Sequence, residues 1–221
     1  MSATVTRRTG ILLAVALAVA ATPVLADGKP DPASKIFPYL EKFLKVPAAE
    51  RTRVRLSYAL LQDGKPIPNL KGTLIEKGGA RLPLTFNSEG YFERLPTLAQ
   101  LDGGMVSFDL PDKAKVGLVM DISPALKPAA QYEVKALAET VNEANTVIGK
   151  AAGPLGMLAP KMAGVSFPKA EGGVAVFADG HTQPLPELKE TPYFRLDDFK
   201  GAVQVKLTRS PTKVRFYQGK K

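Results

Sequence analysis

The sequence has no cysteine, no tryptophan and a single histidine. Without cysteine, the chain cannot form a disulfide and offers no thiolate for catalysis or metal binding. One histidine cannot supply the nitrogen ligands of the usual zinc or copper sites. The sequence therefore predicts no metal, no cofactor and no catalytic residue, and a fold held together by its hydrophobic core.

Long apolar runs are also scarce, and the clearest one lies near the N-terminus. Arg7 and Arg8 precede an apolar stretch at 11–21, and small or compact residues lead up to Ala26. This order predicts a secretory signal peptide at 1–26 that is cleaved after Ala26. The stretch is shorter than the roughly 20 residues that span a bilayer, so we expect an exported, periplasmic protein that is not an integral membrane protein. The paired arginines match a twin-arginine signal only loosely, and the choice between the two export routes stays open.

The chain is basic, with 30 lysines and arginines against 21 acidic residues. An exported basic protein can bind phospholipid head groups, lipopolysaccharide or acidic cell-wall polymers, whereas nucleic acid is not an expected partner. The alternative is that the lysines are simply solvated.

Apolar residues with helical spacing occur in two segments. Helices are predicted near 35–45, with Ser34 as N-cap and Pro47 as the stop, and over 129–150. The second helix has the clearer apolar stripe, with polar residues on its other faces.

Most of the remaining chain alternates apolar and polar residues and is punctuated by glycine, proline and aspartate, which is typical of short antiparallel strands. Strands are predicted at 54–60, 70–76, 82–86, 91–95, 105–110, 116–122, 174–177, 203–207 and 214–216. We therefore expect an α+β fold of mainly antiparallel, sandwich-like sheets. Its two halves, 27–128 and 129–221, would each contain a helix and a β region and could form one compact domain.

The two β regions follow a similar order. Phe86 leads through a glycine turn to Leu-Pro-Thr-Leu at 95–98, and Phe177 leads similarly to Leu-Pro-Glu-Leu at 185–188. This order indicates two related β units joined by a helix, although unrelated antiparallel sheets can produce it too.

Catalytic signals are weak. His181 follows Asp179 and Gly180 and is predicted at a hairpin tip, and no serine lies in a nucleophile-elbow pattern. A carboxylate-dependent hydrolase of cell-wall glycan needs only two acids, and nothing selects a pair among the candidates Glu93, Asp109, Glu187 and Asp197.

Basic residues alternate with apolar ones on three predicted strands. If the strands around 203–207 and 214–216 pair across Ser210 and Pro211, their cations share one outer face, which Arg53 and Arg55 extend. The predicted anion-binding face therefore consists of Arg53, Arg55, Lys206, Lys213 and Arg215. The alternative is a charged face that deters edge-to-edge aggregation.

The segment 151–168 is apolar and is interrupted by glycine and proline. Methionine adapts to varied ligands, so the segment predicts an apolar groove lined by Leu155, Met157, Leu158 and Met162. The alternative is an ordinary connection that covers the core.

Residues 36–122 resemble an uncharacterised family of small exported proteobacterial proteins. The resemblance lies in an aromatic-rich N-terminal helix followed by segments such as Val-Arg-Leu-Ser-Tyr-Ala-Leu-Leu at 54–61, Leu-Lys-Gly-Thr-Leu at 70–74 and Leu-Pro-Leu-Thr-Phe at 82–86. It implies export and β structure but no activity.

These patterns lead to three hypotheses. The first is a non-enzymatic periplasmic protein that binds an envelope component or partner protein. The second is a carrier of an apolar ligand or lipid that uses the 151–168 segment, and the third is the glycan hydrolase. The sequence does not select a ligand or an oligomeric state.

Overall fold

The structure is a computed structural model that describes residues 29–110, 116–153 and 161–219. The predicted signal peptide at 1–26 lies outside the described residues. The described part is an α+β fold of mainly antiparallel sheets, which confirms the predicted fold class.

Fifteen strands and four α-helices make up the described elements. The helices are α1 (Ala33–Ile36), α2 (Leu40–Lys45), α3 (Leu98–Leu101) and α4 (Val134–Ala152). The strands are β1 (Asp31–Pro32), β2 (Val54–Gln62), β3 (Lys65–Pro66), β4 (Lys71–Ile75), β5 (Arg81–Leu84), β6 (Met105–Asp109), β7 (Val116–Pro124), β8 (Gln131–Glu133), β9 (Gly164–Ser166), β10 (Gly173–Phe177), β11 (Thr182–Pro184), β12 (Glu187–Leu188), β13 (Thr191–Arg195), β14 (Ala202–Leu207) and β15 (Arg215–Tyr217). Short 3₁₀ turns lie at Ala48–Glu50 and Leu196–Phe199.

The strands form four sheets. Their orders are β1-β6-β4-β5, β3-β2-β7, β11-β10-β14-β8 and β12-β13-β9-β15. Strands from the first half of the chain build the first two sheets, and strands after residue 130 build the other two. One continuous hydrophobic core extends from Ala33 to Val214 and includes α4.

The longest strand pair, β2 with β7, contributes several residues to the candidate site. Nine residues of β2 pair with nine of β7, from Val54 opposite Pro124 to Gln62 opposite Val116. Asp63 and Gly64 adopt positive φ angles of 50° and 75° and turn β2 back into β3. An Asp-Gly pair is favoured there because a two-residue hairpin needs positive φ at both positions.

The helix predicted near 35–45 is two short helices instead of one. The break lies at Phe37–Tyr39, where Tyr39 has a φ of 65°, and α1 begins after Pro32 without a cap from Ser34. Pro38 causes the break, because it lacks the N–H that would bond to the carbonyl of Ser34 in a continuous helix.

The prediction of a helix over 129–150 is confirmed, with its start moved to Val134. The residues before it form β8, which pairs with β14. The predicted apolar stripe is buried against β9 and β14, and Leu137, Val141 and Ala144 are almost wholly inaccessible. The polar side chain of Thr140 is also buried, and its hydroxyl donates to the Ala136 carbonyl at 2.7 Å.

The prediction of a strand at 91–95 is wrong. Tyr91 and Phe92 form only isolated bridges, to Ala59 and Phe86 respectively. The side-chain oxygen of Asn87 accepts hydrogen bonds from the N–H groups of Glu89 and Tyr91, both at 3.0 Å. This turn bends the chain too sharply for a regular hairpin.

Candidate functional site

A cleft of about 1050 Å³ lies where α2, β2, the end of β7 and the segments at 87–98 and 212–215 meet. We call it the central cleft. Its apolar lining includes Leu40, Phe43, Leu44, Leu56, Leu95 and Leu98, and its charged lining consists of Arg51, Arg55, Lys213, Arg215, Glu89, Glu93 and Asp121. A concave site of this size with apolar walls and a few converging polar groups is typical of ligand-binding sites.

The alternation of β2 gives the cleft two chemically different sides. Val54 and Leu56 point toward the core side, where α2 lies, while Arg55 and Ser57 point to the opposite side. The register places Arg55 opposite Ser123 of β7 and Ser57 opposite Asp121. Because directly opposed residues share one face of an antiparallel pair, these four polar side chains lie together.

Asp121 is a partly buried carboxylate on this polar side. Its partial burial raises the pKa of the carboxyl above the ordinary value, and the positive charges of Arg215 and Lys213 oppose that rise. Burial, together with the charges of Asp121 and Glu89, also raises the pKa of the Tyr91 hydroxyl. Within the described ranges, no ion pair within 4.0 Å involves Asp121, Lys213 or Arg215. Its cationic neighbours are therefore not saturated by a close carboxylate.

Three of the five residues predicted to bind anions converge on the central cleft: Arg55, Lys213 and Arg215. The strand pairing that brings them together differs from the predicted pairing. The expected pairing between the strands that flank Ser210 and Pro211 is wrong, because β14 pairs with β8 and β10 whereas β15 pairs with β9.

Backbone hydrogen bonds explain why this hairpin does not form. The N–H groups of Thr208, Arg209 and Thr212 donate to the carbonyls of Gly172, Ala170 and Pro168. These bonds carry the 208–212 connection across to a different sheet. There β15 contacts β7, which places Arg215 beside Asp121.

The other two predicted cations, Arg53 and Lys206, do not line the cleft. Arg53 forms an ion pair with Glu139 of α4 at 2.5 Å, and its backbone N–H donates to the Glu143 carboxylate. Lys206 lies on β14, opposite Gln131 and Val174. The five residues therefore do not form one face.

The apolar wall contributed by α2 is fixed by two contacts below it. The hydroxyl of Tyr58 donates to the Pro38 carbonyl at 2.5 Å, at the break between α1 and α2. Arg51 donates to the Val46 carbonyl at 2.9 Å and lies over the ring of Phe43, 5.2 Å from its centroid. Arg51 therefore stabilises the apolar wall formed by α2.

The predicted apolar groove is only partly described. Leu155, Met157 and Leu158 lie outside the described residues, so their role stays a prediction. Met162 is 4% exposed and belongs to the hydrophobic core. Its backbone N–H and carbonyl bond to the side chain of Asn145 at 2.8 and 2.9 Å.

The carboxylates considered for hydrolysis are dispersed. Only Glu93 lines the central cleft, while Asp109, Glu187 and Asp197 are exposed elsewhere. Asp121 was not among the predicted site residues, although it is the one charged residue of β7, which is otherwise largely apolar.

His181 lies at the tip of the β10–β11 hairpin, as predicted. Its ring stacks on Phe177 with centroids 4.1 Å apart, and its Nδ1 contacts the carboxylate of Asp179. The backbone N–H of His181 also donates to this carboxylate at 3.1 Å, and this bond, followed by the ring contact, lowers the pKa of Asp179. Both residues are exposed, and neither is among the residues that line the cleft.

In the described part of the chain, no group of three or more potential ligands is arranged to hold a metal ion. No helix described there is long and apolar enough to cross a bilayer. Comparison with known proteins gave no match to any family model, curated protein or solved structure.

Proposed function

We propose that this is an exported, periplasmic, non-enzymatic protein that binds a component of the cell envelope in the central cleft. The observation that carries the proposal is the convergence of Arg55, Lys213 and Arg215 on a cleft with apolar walls. The N-terminal sequence and the resemblance to a family of small exported proteins support export. The mixed lining favours a ligand that has both apolar and charged groups, such as a segment of a partner protein.

Site-specific photo-crosslinking in the native envelope tests this proposal. Leu98 lines the cleft and is 40% exposed, and Val203 on β14 is similarly exposed at 45% but does not line the cleft. Each residue is replaced by a photoreactive phenylalanine analogue, and cells that make either variant are irradiated. We expect a discrete crosslinked product from position 98 and none from position 203.

The charge of the cleft provides the second arm of this test. Arg215→Glu, introduced beside the photoreactive group at position 98, should abolish the product. The matched variant Lys206→Glu changes the same charge on β14 and should leave the product intact. A product that survives Arg215→Glu, or one that forms equally from both photoreactive positions, contradicts the proposal.

One observation favours the glycan hydrolase as a second candidate. Asp121, whose pKa is raised by burial, shares the cleft with Glu89 and Glu93, and a carboxyl with a raised pKa can serve as a general acid. Incubation with purified murein decides between the two. Soluble fragments that appear with the native protein and not with Asp121→Asn would support hydrolysis, and unchanged murein would reject it.

A further inference from the structure

The backbone of β2 presents an open edge inside the central cleft. In an extended antiparallel strand, the N–H and C=O groups of successive residues point alternately to the two neighbouring strands. The Ala125 N–H donates to the Arg53 carbonyl, so odd-numbered residues of β2 bond toward β7. Val54 is opposite Pro124, which has no N–H, in agreement with this parity. The N–H and C=O groups of Val54 and Leu56 therefore point away from β7.

The chain itself uses the same edge one step further along. The Phe92 N–H donates to the Tyr58 carbonyl at 2.9 Å, and the Leu60 N–H donates to the Gly90 carbonyl at 3.1 Å. After Phe92 this segment leaves β2, and the next N–H, that of Glu93, donates to Thr85. No residue within the described ranges hydrogen-bonds to the backbone of Val54 or Leu56 on that side.

We infer that an extended segment of a partner protein adds as a strand to this edge, beside Val54–Leu56. The inference rests on the proposed function and specifies its mode, because an unpaired strand edge in a cleft is the feature that strand-addition partners recognise. Main-chain hydrogen bonds to residues 54 and 56 would supply the attachment, and the two sides of the cleft would supply the specificity.

The alternation of β2 also defines the sequence that such a segment needs. A residue beside Leu56 would point its side chain to the apolar side, toward the wall that contains Phe43 and Leu44. The next residue, beside Arg55, would point to the polar side, where Lys213 and Arg215 also lie. Directly opposed residues have their Cβ atoms only about 4.5–5.5 Å apart, so a carboxylate at that position reaches the guanidinium of Arg55. We therefore expect a segment that alternates apolar and acidic residues.

The binding test uses a short synthetic peptide with blocked ends that alternates valine and glutamate, measured by calorimetry or fluorescence. A peptide that alternates valine and lysine is its control. We expect the glutamate peptide to bind and the lysine peptide to bind at least about tenfold more weakly. Arg55→Glu should reverse this preference. The absence of binding by the glutamate peptide at about 1 mM, or equal binding of the two peptides, overturns strand addition.

The edge itself is tested by a matched pair of variants. Leu56→Pro removes the N–H that faces the cleft, while Leu56→Ala shortens the side chain further but keeps the N–H. Because Leu56 lines the cleft, both variants lose apolar contact, and we expect the proline variant to bind at least about tenfold more weakly than the alanine variant. Equal binding by the two variants refutes the hydrogen-bonded edge.

A second measurement remains decisive if the proline variant does not fold. A glutamate peptide N-methylated at the position that faces Leu56 cannot donate its backbone hydrogen there and should not bind the native protein, whereas methylation one residue along should have little effect. If crosslinking at position 98 is lost with Arg215→Glu but methylation at either position is tolerated, the proposed function stands and strand addition fails. Self-association of the native protein that Leu56→Pro abolishes would identify a second copy as the occupant and contradict the inference.

Discussion

Replacing Tyr58 with phenylalanine isolates one partly buried hydrogen bond that holds the wall of the central cleft. The Tyr58 side chain is fully buried, and its hydroxyl donates to the Pro38 carbonyl at 2.5 Å. Its ring packs edge-on against Phe37, with centroids 5.4 Å apart. The substitution preserves this ring contact and removes only the donor. It leaves a carbonyl unpaired at the break between α1 and α2.

We expect Tyr58→Phe to lower the free energy of unfolding by about 1–2 kcal/mol, because Pro38 is only partly buried and water can reach part of the freed carbonyl. In a chain of this length, that loss lowers the melting temperature by roughly 2–8 °C. Tyr58→Ala also removes the ring and should cost about 3–5 kcal/mol.

Urea and thermal unfolding of the two variants beside the native protein measure both quantities. Hydrogen exchange adds a local readout, since amides of α2 should exchange faster in Tyr58→Phe. A free energy for Tyr58→Phe within about 0.3 kcal/mol of the native value would show that the hydroxyl does not hold this break.

Three further predictions concern one carboxyl of the cleft and two contacts elsewhere in the fold. Asp121→Asn should stabilise the protein near neutral pH, because the native fold raises the pKa of this carboxyl. The gain in stability should shrink as the pH falls through the raised pKa, because the native aspartate then becomes protonated. Thermal melts in which the gain grows as the pH falls would contradict the effect of burial. Asn145→Ala should lower the free energy of unfolding by about 2–3 kcal/mol in urea titrations, since it removes two hydrogen bonds to the backbone of Met162, and a loss below about 0.5 kcal/mol would refute that role. Gly164→Ala should lower the free energy of unfolding by about 3 kcal/mol or more, because an added Cβ would lie 1.9 Å from the Phe194 carbonyl oxygen. Gly149→Ala in α4 adds a Cβ that meets nothing within 4 Å, so it should raise the free energy of unfolding by about 0.5–1 kcal/mol. Equal effects of the two substitutions in thermal melts would contradict the packing described.

Local patterns in the sequence predicted most of the elements but not which strands pair. The apolar spacing before residue 150 predicted α4, and the alternation after Thr52 predicted β2, because both periods record which side chains face the core. The partner of β15 is β9, whose paired residues lie 49 to 53 positions earlier, and side-chain alternation is the same whichever strand is adjacent. Strand pairing therefore depended on tertiary contacts that the pattern does not encode.

The same distinction applies to the candidate site. Arg55, Lys213 and Arg215 could be selected because basic residues on apolar strands are conspicuous. The place where these residues meet could not be predicted from the sequence, since it depends on the contact between β7 and β15. Asp121 was missed because a single acid in an apolar strand indicates a site only when its neighbours in space are known.

Binding in the central cleft is tested by native mass spectrometry of the protein isolated gently from the cell envelope, with Arg215→Glu and Lys206→Glu purified in parallel. We expect an added mass on the native protein and on Lys206→Glu that disappears on denaturation and is absent from Arg215→Glu. An added mass that is retained by Arg215→Glu would contradict the claim that the central cleft is the binding site.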